Sequence, residues 1–266
     1  MNPVLTIAKR AALNAGRILL RHFDHLERLN VTAKQRNDFV SEADIQAERD
    51  IIQILRKTYP NHGILAEESG EQPGQDEYQW VIDPLDGTTN FLHGIPHFAI
   101  SIAFRHKNRL EAALVYDPMR QEMFTASRGE SAQLNDRRIR VSGVSTLENA
   151  LLGTGFPFRH PQHRPAYLNI FSALFEKCTE IRRAGAASLD LAYVASGRLD
   201  AFWEIGLKAW DIAGGALLVQ EAGGLVSDFG GDNGFMKTGN IVAGNPKAFK
   251  ALLQEMQPHL TPELAR

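Results

Sequence analysis

The segment WVIDPLDGTTNF, at residues 80–91, is the most informative part of this sequence. It begins as an apolar run typical of a buried strand and ends as a polar turn. Asp83 and Asp86 stand where the strand ends, separated by a proline and a leucine. Because proline fixes its own φ angle and biases the preceding residue to extended geometry, the chain leaves the strand in a defined turn. That turn can aim both carboxylates at one place.

The chemistry of this turn suits a metal ion and a phosphate. The carboxylates of Asp83 and Asp86 and the carbonyl of Leu85 supply three oxygen atoms, and hard cations such as Mg²⁺ prefer oxygen ligands. The following GTTN at 87–90 offers free backbone N–H groups, a good cradle for an anion. Asp-Pro and Asp-Gly pairs are also common in plain turns. The stretch alone therefore leaves both interpretations open.

Acids elsewhere in the chain favour the metal interpretation. AEES places Glu67 and Glu68 at the end of another apolar strand, and AWDIAGG places Asp211 at a helix start. Singly, such acids are usually solvated or cap a helix. Together with the first pair they match the ligands that a two-metal site needs. If clustered without cations, they would repel by roughly 4 kcal/mol per pair at ~4 Å.

Composition limits the function classes. The chain has 266 residues, 44% of them apolar and 23% charged, with a net charge of −2. These values are ordinary for a globular protein and predict no general attraction to nucleic acid or anionic membrane. The single cysteine, Cys178, excludes an internal disulfide and a cysteine-based zinc site. With no apolar run of ~20 residues and no secretory signal, we expect a cytoplasmic protein.

Periodicity predicts the order of the elements. Residues 1–23 have apolar positions at helical spacing, and a second helix is expected from Ser41, where SEAD resembles a capping box with Asp44 at its third position. Residues 97–127 read as three strands separated by turns. Strands come in runs and helices in blocks, so the fold class is α+β. We expect a single domain over 1–266, with halves at about 1–145 and about 146–266.

Four segments carry a resemblance to a known family. WVIDPLDGTTNF and WDIAGGALLVQEAGG, supported by AEESG and DFVSEAD, resemble the signatures of the inositol monophosphatase family of lithium-sensitive, Mg²⁺-dependent phosphatases. The resemblance covers nearly the whole chain. It implies a layered α/β/α/β/α sandwich of the inositol monophosphatase and sugar phosphatase type, and a homodimer. It also implies hydrolysis of myo-inositol 1-phosphate and related small alcohol phosphates by a metal-activated water.

The resemblance further implies a role for individual residues. The metal ligands would be Glu67, Asp83, Leu85 (through its carbonyl), Asp86 and Asp211. The catalytic residues would be Glu67, Asp44 and Thr88, the last two orienting the attacking water. The substrate contacts would be Leu85, Asp86, Gly87, Thr88, Arg182, Gly185, Ala186, Ala187, Glu204 and Asp211.

Several of these residues have a simpler interpretation. Asp44 can serve only in the capping box, and Glu204 can be a solvated acid on an edge strand. Arg182 and Arg183 can bind an anion or form salt bridges between subunits. Members of the family also typically carry a second glycine where this chain has Ser131 in RGESA, and Asn-Gly where it has Asn135-Asp136. A non-glycine residue in a left-handed turn destabilises the fold by about 1 kcal/mol. This hairpin is distant from the predicted metal ligands, so the cost does not bear on them.

Rival functions remain open from sequence. A fructose-1,6-bisphosphatase-like or nucleotide 3′-phosphatase activity would keep every metal ligand, although the short chain and Glu204 favour an inositol phosphate. Bacterial members of the family are also implied to bind RNA polymerase and Nus factors in ribosomal RNA antitermination, which makes a non-catalytic binding protein the alternative from another class. The basic patches at 137–140 and 182–183 are small and predict no direct RNA binding.

Overall fold

A computed structural model describes residues 2–35 and 38–265, with side chains described outside 33–39. Within these residues the helices are α1 Pro3–Phe23, α2 Glu42–Thr58, α3 Thr88–Leu92, α4 Arg164–Phe175, α5 Ala187–Ala195, α6 Ala209–Glu221, α7 Phe235–Thr238 and α8 Pro246–Met256. Short 3₁₀ helices cover Leu26–Arg28, Leu147–Asn149, Pro161–His163 and Gln257–His259. The strands are β1 Val31–Gln35, β2 Asp38–Ser41, β3 Gly63–Ala66, β4 Gly70–Gln72, β5 Tyr78–Asp86, β6 Ala99–His106, β7 Arg109–Asp117, β8 Glu122–Ser127, β9 Ala132–Leu134, β10 Arg137–Arg138, β11 Leu151–Thr154, β12 Glu180–Arg182, β13 Ala201–Glu204, β14 Leu225–Ser227 and β15 Ile241–Gly244.

The strands form two large sheets and a hairpin. The larger sheet has the order β10-β9-β8-β7-β6-β5-β3-β4, and the smaller has the order β12-β11-β13-β15-β14. In the larger sheet β5 runs parallel to β3 and antiparallel to β6. In the smaller sheet β11 runs parallel to both β12 and β13. The separate hairpin pairs β1 with β2.

Helices and sheets alternate in five layers. Helices α1 and α2 pack on one face of the larger sheet, and α5 and α6 pack on its other face. The smaller sheet covers α5 and α6 from the opposite side, and α4 and α8 form the outer layer beyond it. Apolar clusters fill the spaces between these layers. The predicted α+β class and the α/β/α/β/α sandwich are confirmed.

Local signals explain most of the elements. α1 buries the predicted apolar stripe, which includes Leu5, Ala12 and Leu19. Ser41 is the N-cap of α2 as predicted, and residues 97–127 contain the three expected strands. The hairpin of β1 and β2 and the strand β14 were not predicted. No helix among the described residues combines the length and apolarity needed to span a membrane.

The hairpin near residue 135 has the backbone that its sequence predicts. Ser131, Asn135 and Asp136 have φ angles of 68°, 48° and 62°, which lie in the left-handed region. Lys9 of α1 forms an ion pair with Asp136 at 2.6 Å. This ion pair connects the hairpin to the first helix. The left-handed backbone at these three positions is adopted by residues other than glycine, as the sequence predicted.

Candidate active site

Parallel pairing brings the first two acids to one edge of the larger sheet. Ala66, the last residue of β3, pairs with Ile82 of β5. The next residue along each strand direction is an acid. Glu67 follows the end of β3, and Asp83 follows Ile82 within β5. The backbone N–H of Glu67 donates to the Ile82 carbonyl at 3.2 Å, so the two acids remain neighbours because the strands remain in register.

A bulge in β5 then turns the chain. The pairing with β6 shifts by one residue between Asp83 and Asp86, and such bulges redirect side chains. The backbone N–H of Leu85 donates to Oδ1 of Asp83 at 3.0 Å. Gly87 follows with a φ of 94° and caps α3, and an added Cβ there would lie 3.0 Å from the His97 carbonyl. Glycine is therefore required at this position.

Asp44 connects α2 to this turn. Its Oδ2 atom accepts a hydrogen bond from the Ser41 backbone N–H at 2.9 Å and another from the Ser41 hydroxyl, which confirms the predicted capping box. Its Oδ1 atom lies 3.3 Å from the Thr88 hydroxyl, which also lies 3.0 Å from the Leu85 carbonyl. Asp44 therefore caps a helix and contacts Thr88 at the same time.

Glu48, one helical turn after Asp44, holds the neighbouring loop and was missed by the sequence reasoning. The side chain is 3% exposed. Its two carboxylate oxygens accept the backbone N–H groups of Glu68 and Ser69, each at 2.8 Å. The signal was available, because acids four residues apart share one face of a helix.

Two further helices supply the remaining acids of the site. At the start of α5, the backbone N–H and hydroxyl of Ser188 donate to Oδ2 of Asp86 at 2.7 and 2.5 Å. At the start of α6, Asp211 accepts the Lys208 backbone N–H at 2.7 Å and lies 3.7 Å from the Arg159 guanidinium. Helix N-termini thus orient both carboxylates.

These elements enclose one pocket of about 470 Å³. It is lined by all of the predicted metal ligands and most of the predicted substrate contacts, together with residues that were not predicted, among them Asp190, Thr154, Phe156 and Phe158. Asp44 lies behind the lining and reaches it through Thr88. The predicted lining residues are Glu67, Asp83, Leu85, Asp86, Gly87, Thr88, Gly185, Ala186, Ala187, Glu204 and Asp211.

Arg182 does not line the pocket, contrary to its predicted place among the substrate contacts. Its half-exposed side chain pairs with Glu180, two residues earlier on β12. Arg183 lines the pocket instead, and its guanidinium lies over the rings of Phe156 and Phe158 at 5.1 and 5.3 Å from their centres. Arg182 is the last residue of β12, and Arg183 follows it where the chain has left the strand and lines the pocket.

The acids of the pocket are held close enough to resist ionisation together. Burial and the neighbouring carboxylates of Glu67, Asp86 and Asp211 raise the pKa of Asp83 well above its usual range. Burial and Asp211 raise the pKa of Asp86 to about 7, although hydrogen bonds from Ser188 act in the opposite direction. Burial, followed by Asp211, raises the pKa of Glu204 to about 8. The pocket is therefore short of positive charge.

The donor set fits hard divalent cations. Glu67, Asp83, Asp86 and Asp211 offer carboxylate oxygens, and Leu85 offers a carbonyl. In the part of the chain that the structure describes, no three acidic, histidine or cysteine side chains are grouped tightly enough to enclose one ion unaided. Mg²⁺ commonly keeps several waters and uses one or two carboxylates. Oxygen donors spread along a pocket wall are compatible with a Mg²⁺ ion that is bound partly by water.

Comparison with known proteins places the chain among its relatives. The model of the inositol monophosphatase family matches residues 1–261. The chain belongs to the inositol monophosphatase family. It is similar to "Nus factor SuhB" of Pseudomonas aeruginosa, with 60% identity over the full length of both chains.

Solved structures of the family agree with the fold. The extragenic suppressor protein suhB of Bartonella henselae superposes with a TM-score of 0.95 at 43% identity, covering 97% of this chain and 100% of that one. The inositol-monophosphate-bound structure of SaIMPase-II superposes with a TM-score of 0.81 at 26% identity, covering 97% and 95% of the two chains. The layered sandwich predicted from the signature segments is thus the fold of the family.

Proposed function

We propose that this protein is a Mg²⁺-dependent phosphatase that hydrolyses myo-inositol 1-phosphate and related small alcohol phosphates. The observation that carries the proposal is the convergence of Glu67, Asp83 and Asp86 with Asp211 on one pocket wall, beside the Gly87-Thr88 turn. These residues come from different elements and stand far apart in the chain. Membership of the inositol monophosphatase family supports the same reaction class.

The carboxylates of Glu67, Asp83, Asp86 and Asp211, with the Leu85 carbonyl, would hold the metal. When bound, divalent ions supply a more acidic water and charge neutralisation at the reacting phosphate. They would also offset the mutual repulsion that raises the pKa of Asp83. The mechanism needs no covalent enzyme intermediate, since the attacking group is water.

Thr88 and Asp44 orient the water. The Thr88 hydroxyl has one proton, and when Asp44 accepts it at 3.3 Å the oxygen presents its lone pairs to the pocket. A water that donates to those lone pairs is fixed beside the phosphate position. Positioned groups of this kind contribute on the order of 10²-fold or more to rate.

The phosphate and the alcohol bind to different walls of the pocket. The backbone N–H groups of Gly87 and Thr88 face the phosphate, as the N-terminus of a helical turn favours an anion. Ala186 lies beside Gly87, where an added Cβ would be 3.3 Å from the Ala186 side chain, and Gly185 and Ala187 also line the pocket. Glu204 accepts a hydroxyl of the alcohol, which favours a polyol ester over a nucleotide or a sugar bisphosphate.

A phosphate-release assay tests the proposal. We expect turnover of myo-inositol 1-phosphate with Mg²⁺, none after chelation, and inhibition by Li⁺. Fructose 1,6-bisphosphate and a nucleotide 3′-phosphate serve as the competing substrates. Absence of metal-dependent release from any ester would refute the phosphatase, and a higher kcat/KM for a competing ester would replace the inositol assignment.

We propose a second role as a Nus-type factor in ribosomal RNA antitermination, with RNA polymerase and Nus factors as partners. The supporting observation is 60% identity, over the whole chain, to a protein named Nus factor SuhB. Such a role implies a cytoplasmic location, and the homodimer implied by the family remains a prediction for sedimentation analysis. Co-purification with RNA polymerase tests the role. Equal recovery with wild type and with Asp83→Asn would make it independent of catalysis, and no recovery with either would refute it.

A further inference from the structure

One buried acid in the pocket is not explained by the proposed metal site. Asp190 lies in the first turn of α5, is 2% exposed and lines the pocket. Its backbone N–H forms the ordinary helical hydrogen bond to the Ala186 carbonyl. Its Cα–Cβ bond points toward β11, where a Cβ built on Gly153 would lie 3.8 Å from its own Cβ. Asp190 thus lies between α5 and the smaller sheet.

Asp190 differs from the other acids of the site in its hydrogen bonds. The side chains of Asp44, Asp83, Asp86 and Asp211 each accept a backbone N–H. Across residues 2–35 and 38–265, the Asp190 side chain accepts no hydrogen bond and forms no ion pair, and the same holds for Glu204. Neither carboxyl is sealed from the pocket, so a bound molecule can reach both and supply the missing donor.

Asp190 and Glu204 both line the pocket, close enough for the charge of one to affect the other. The carboxylate of Glu204 is among the causes that raise the pKa of Asp190, after burial, and the Arg183 guanidinium acts in the opposite direction. The Glu204 carboxylate lies 2.0 Å from where a Cβ on Gly155 would be, so a side chain at position 155 would displace that carboxylate. Arg183 and Arg159 both line the pocket and act to lower the pKa of Glu204, so Glu204 already has cationic neighbours. Neutral hydroxyl donors suit this part of the pocket.

We propose that Asp190 is a specificity-determining residue that accepts a hydrogen bond from a hydroxyl of the substrate's alcohol, beside the hydroxyl bound by Glu204. The inference rests on the proposed phosphatase function and deepens it. It assigns the substrate to polyol monophosphates whose alcohol carries at least two further hydroxyl groups. The bond-breaking chemistry at phosphorus is unchanged by this contact.

A matched pair of substrates tests the inference. Cyclohexyl phosphate has the ring of myo-inositol 1-phosphate without its free hydroxyls. We expect Asp190→Asn to lower kcat/KM for the inositol ester about 10-fold and Asp190→Leu about 100-fold, because the hydrogen bond from the substrate hydroxyl is first weakened and then lost, which leaves that hydroxyl without a partner. Neither change should alter kcat/KM for cyclohexyl phosphate. Asp200→Asn, a buried aspartate outside the pocket, is the control and should leave the ratio unchanged.

A stability measurement separates this role from a structural one. Since burial raises the pKa of Asp190, Asp190→Asn should raise the unfolding midpoint of the metal-free protein at pH 8, whereas a structural aspartate would lower it. Equal losses for both esters, or no loss for the inositol ester, would overturn the inference. So would a wild-type enzyme that hydrolyses both esters equally well, although the phosphatase proposal would then stand. Turnover of neither ester would remove the proposed function and this inference together.

Discussion

Oδ1 of Asp44 lies 3.3 Å from Oγ1 of Thr88, so that a helix cap on one side of the larger sheet contacts the turn that ends β5. The contact fixes the Thr88 side chain without occupying the pocket. Asp44 is fully buried and is held from behind by Ser41. The helix therefore determines where the Thr88 hydroxyl points.

Replacing Thr88 tests whether its hydroxyl orients the attacking water. Thr88→Val keeps the shape of the side chain and removes the hydroxyl, and we expect kcat for phosphate release to fall by about 10²-fold or more. Thr88→Ser keeps the hydroxyl and should retain kcat within about 10-fold. Mg²⁺ affinity, measured by calorimetry, should change little in both. Equal activity of the valine and serine variants would contradict the assignment.

Glu48 gives a prediction about metal affinity. It holds the backbone N–H groups of Glu68 and Ser69, directly after the proposed ligand Glu67. Glu48→Gln places an amide N–H against one of those backbone N–H groups. Mutation of residues that hold a metal ligand in place typically lowers metal affinity by about 10- to 100-fold. We expect weaker Mg²⁺ binding by that factor in calorimetry. Glu42→Gln, at an exposed position on the same helix, is the matched control, and identical affinities in the two variants would refute the role.

The raised pKa values predict how pH affects the metal-free protein. Burial raises the pKa of Asp86 from 3.8 to about 7 and that of Glu204 from 4.5 to about 8. A carboxyl whose pKa is raised by folding stabilises the protein below its ordinary pKa, and this contribution is lost as pH rises through the folded value. The unfolding midpoint in EDTA should therefore fall between pH 6.5 and pH 8.5.

Mg²⁺ should oppose that loss. Metal binding requires ionised ligands, so the rise in midpoint on adding Mg²⁺ should grow over the same pH window. His62, His97 and His160 are half-buried, and burial lowers their pKa values. Because their unfolded forms are still partly protonated near pH 6.5, they oppose the fall at the lower end of the window, and the fall should be clearest above about pH 7.5. In the metal-free state Asp86→Asn should flatten the profile. A midpoint in EDTA that is constant or rising across the window would contradict the predicted shifts.

Ser131 offers a prediction outside the site. Its φ of 68° is left-handed, a conformation that glycine adopts without the steric cost paid by other residues. Ser131→Gly should stabilise the protein by about 0.5–1 kcal/mol, the steric gain being partly offset by the greater freedom of the unfolded chain. Ser145→Gly, at an exposed serine that is not left-handed, should destabilise it slightly. Denaturant unfolding measures both, and no gain at position 131 would count against left-handed strain there.

The sequence was sufficient to predict structure around the site where local signals and the family signatures agree. The apolar run before Asp83, its proline and the glycine at position 87 predicted a strand that ends in a fixed turn, and the bulge in β5 confirms that turn. SEAD predicted the cap of α2. Metal, catalytic and substrate roles for the pocket residues stay predictions, as does the single domain over 1–266.

The failures have physical reasons. Arg182 ends β12 and Arg183 lies just beyond it. The pairing of β12 with β11, which determines where the strand ends, involves residues about 30 positions apart in the chain. Glu48 and Asp190 look like ordinary helical acids in the sequence, because the surroundings of each side chain are set by distant parts of the chain that fold against it. The hairpin of β1 and β2 lacks a strong apolar alternation. Each of these features depends on contacts between distant parts of the chain. The periodicity of a single sequence carries no information about such contacts.

Replacement of Asp83 by asparagine tests whether the four carboxylates of the pocket form a metal site. Asp83 is 1% exposed and lies among Glu67, Asp86 and Asp211. We expect wild-type protein to bind Mg²⁺ in calorimetry and to release phosphate from myo-inositol 1-phosphate, and we expect Asp83→Asn to do neither. The variant should keep the circular dichroism spectrum of wild type, and without metal its unfolding midpoint should be at least as high as that of wild type. A folded Asp83→Asn protein that retains Mg²⁺-dependent turnover would show that these carboxylates do not form the metal site.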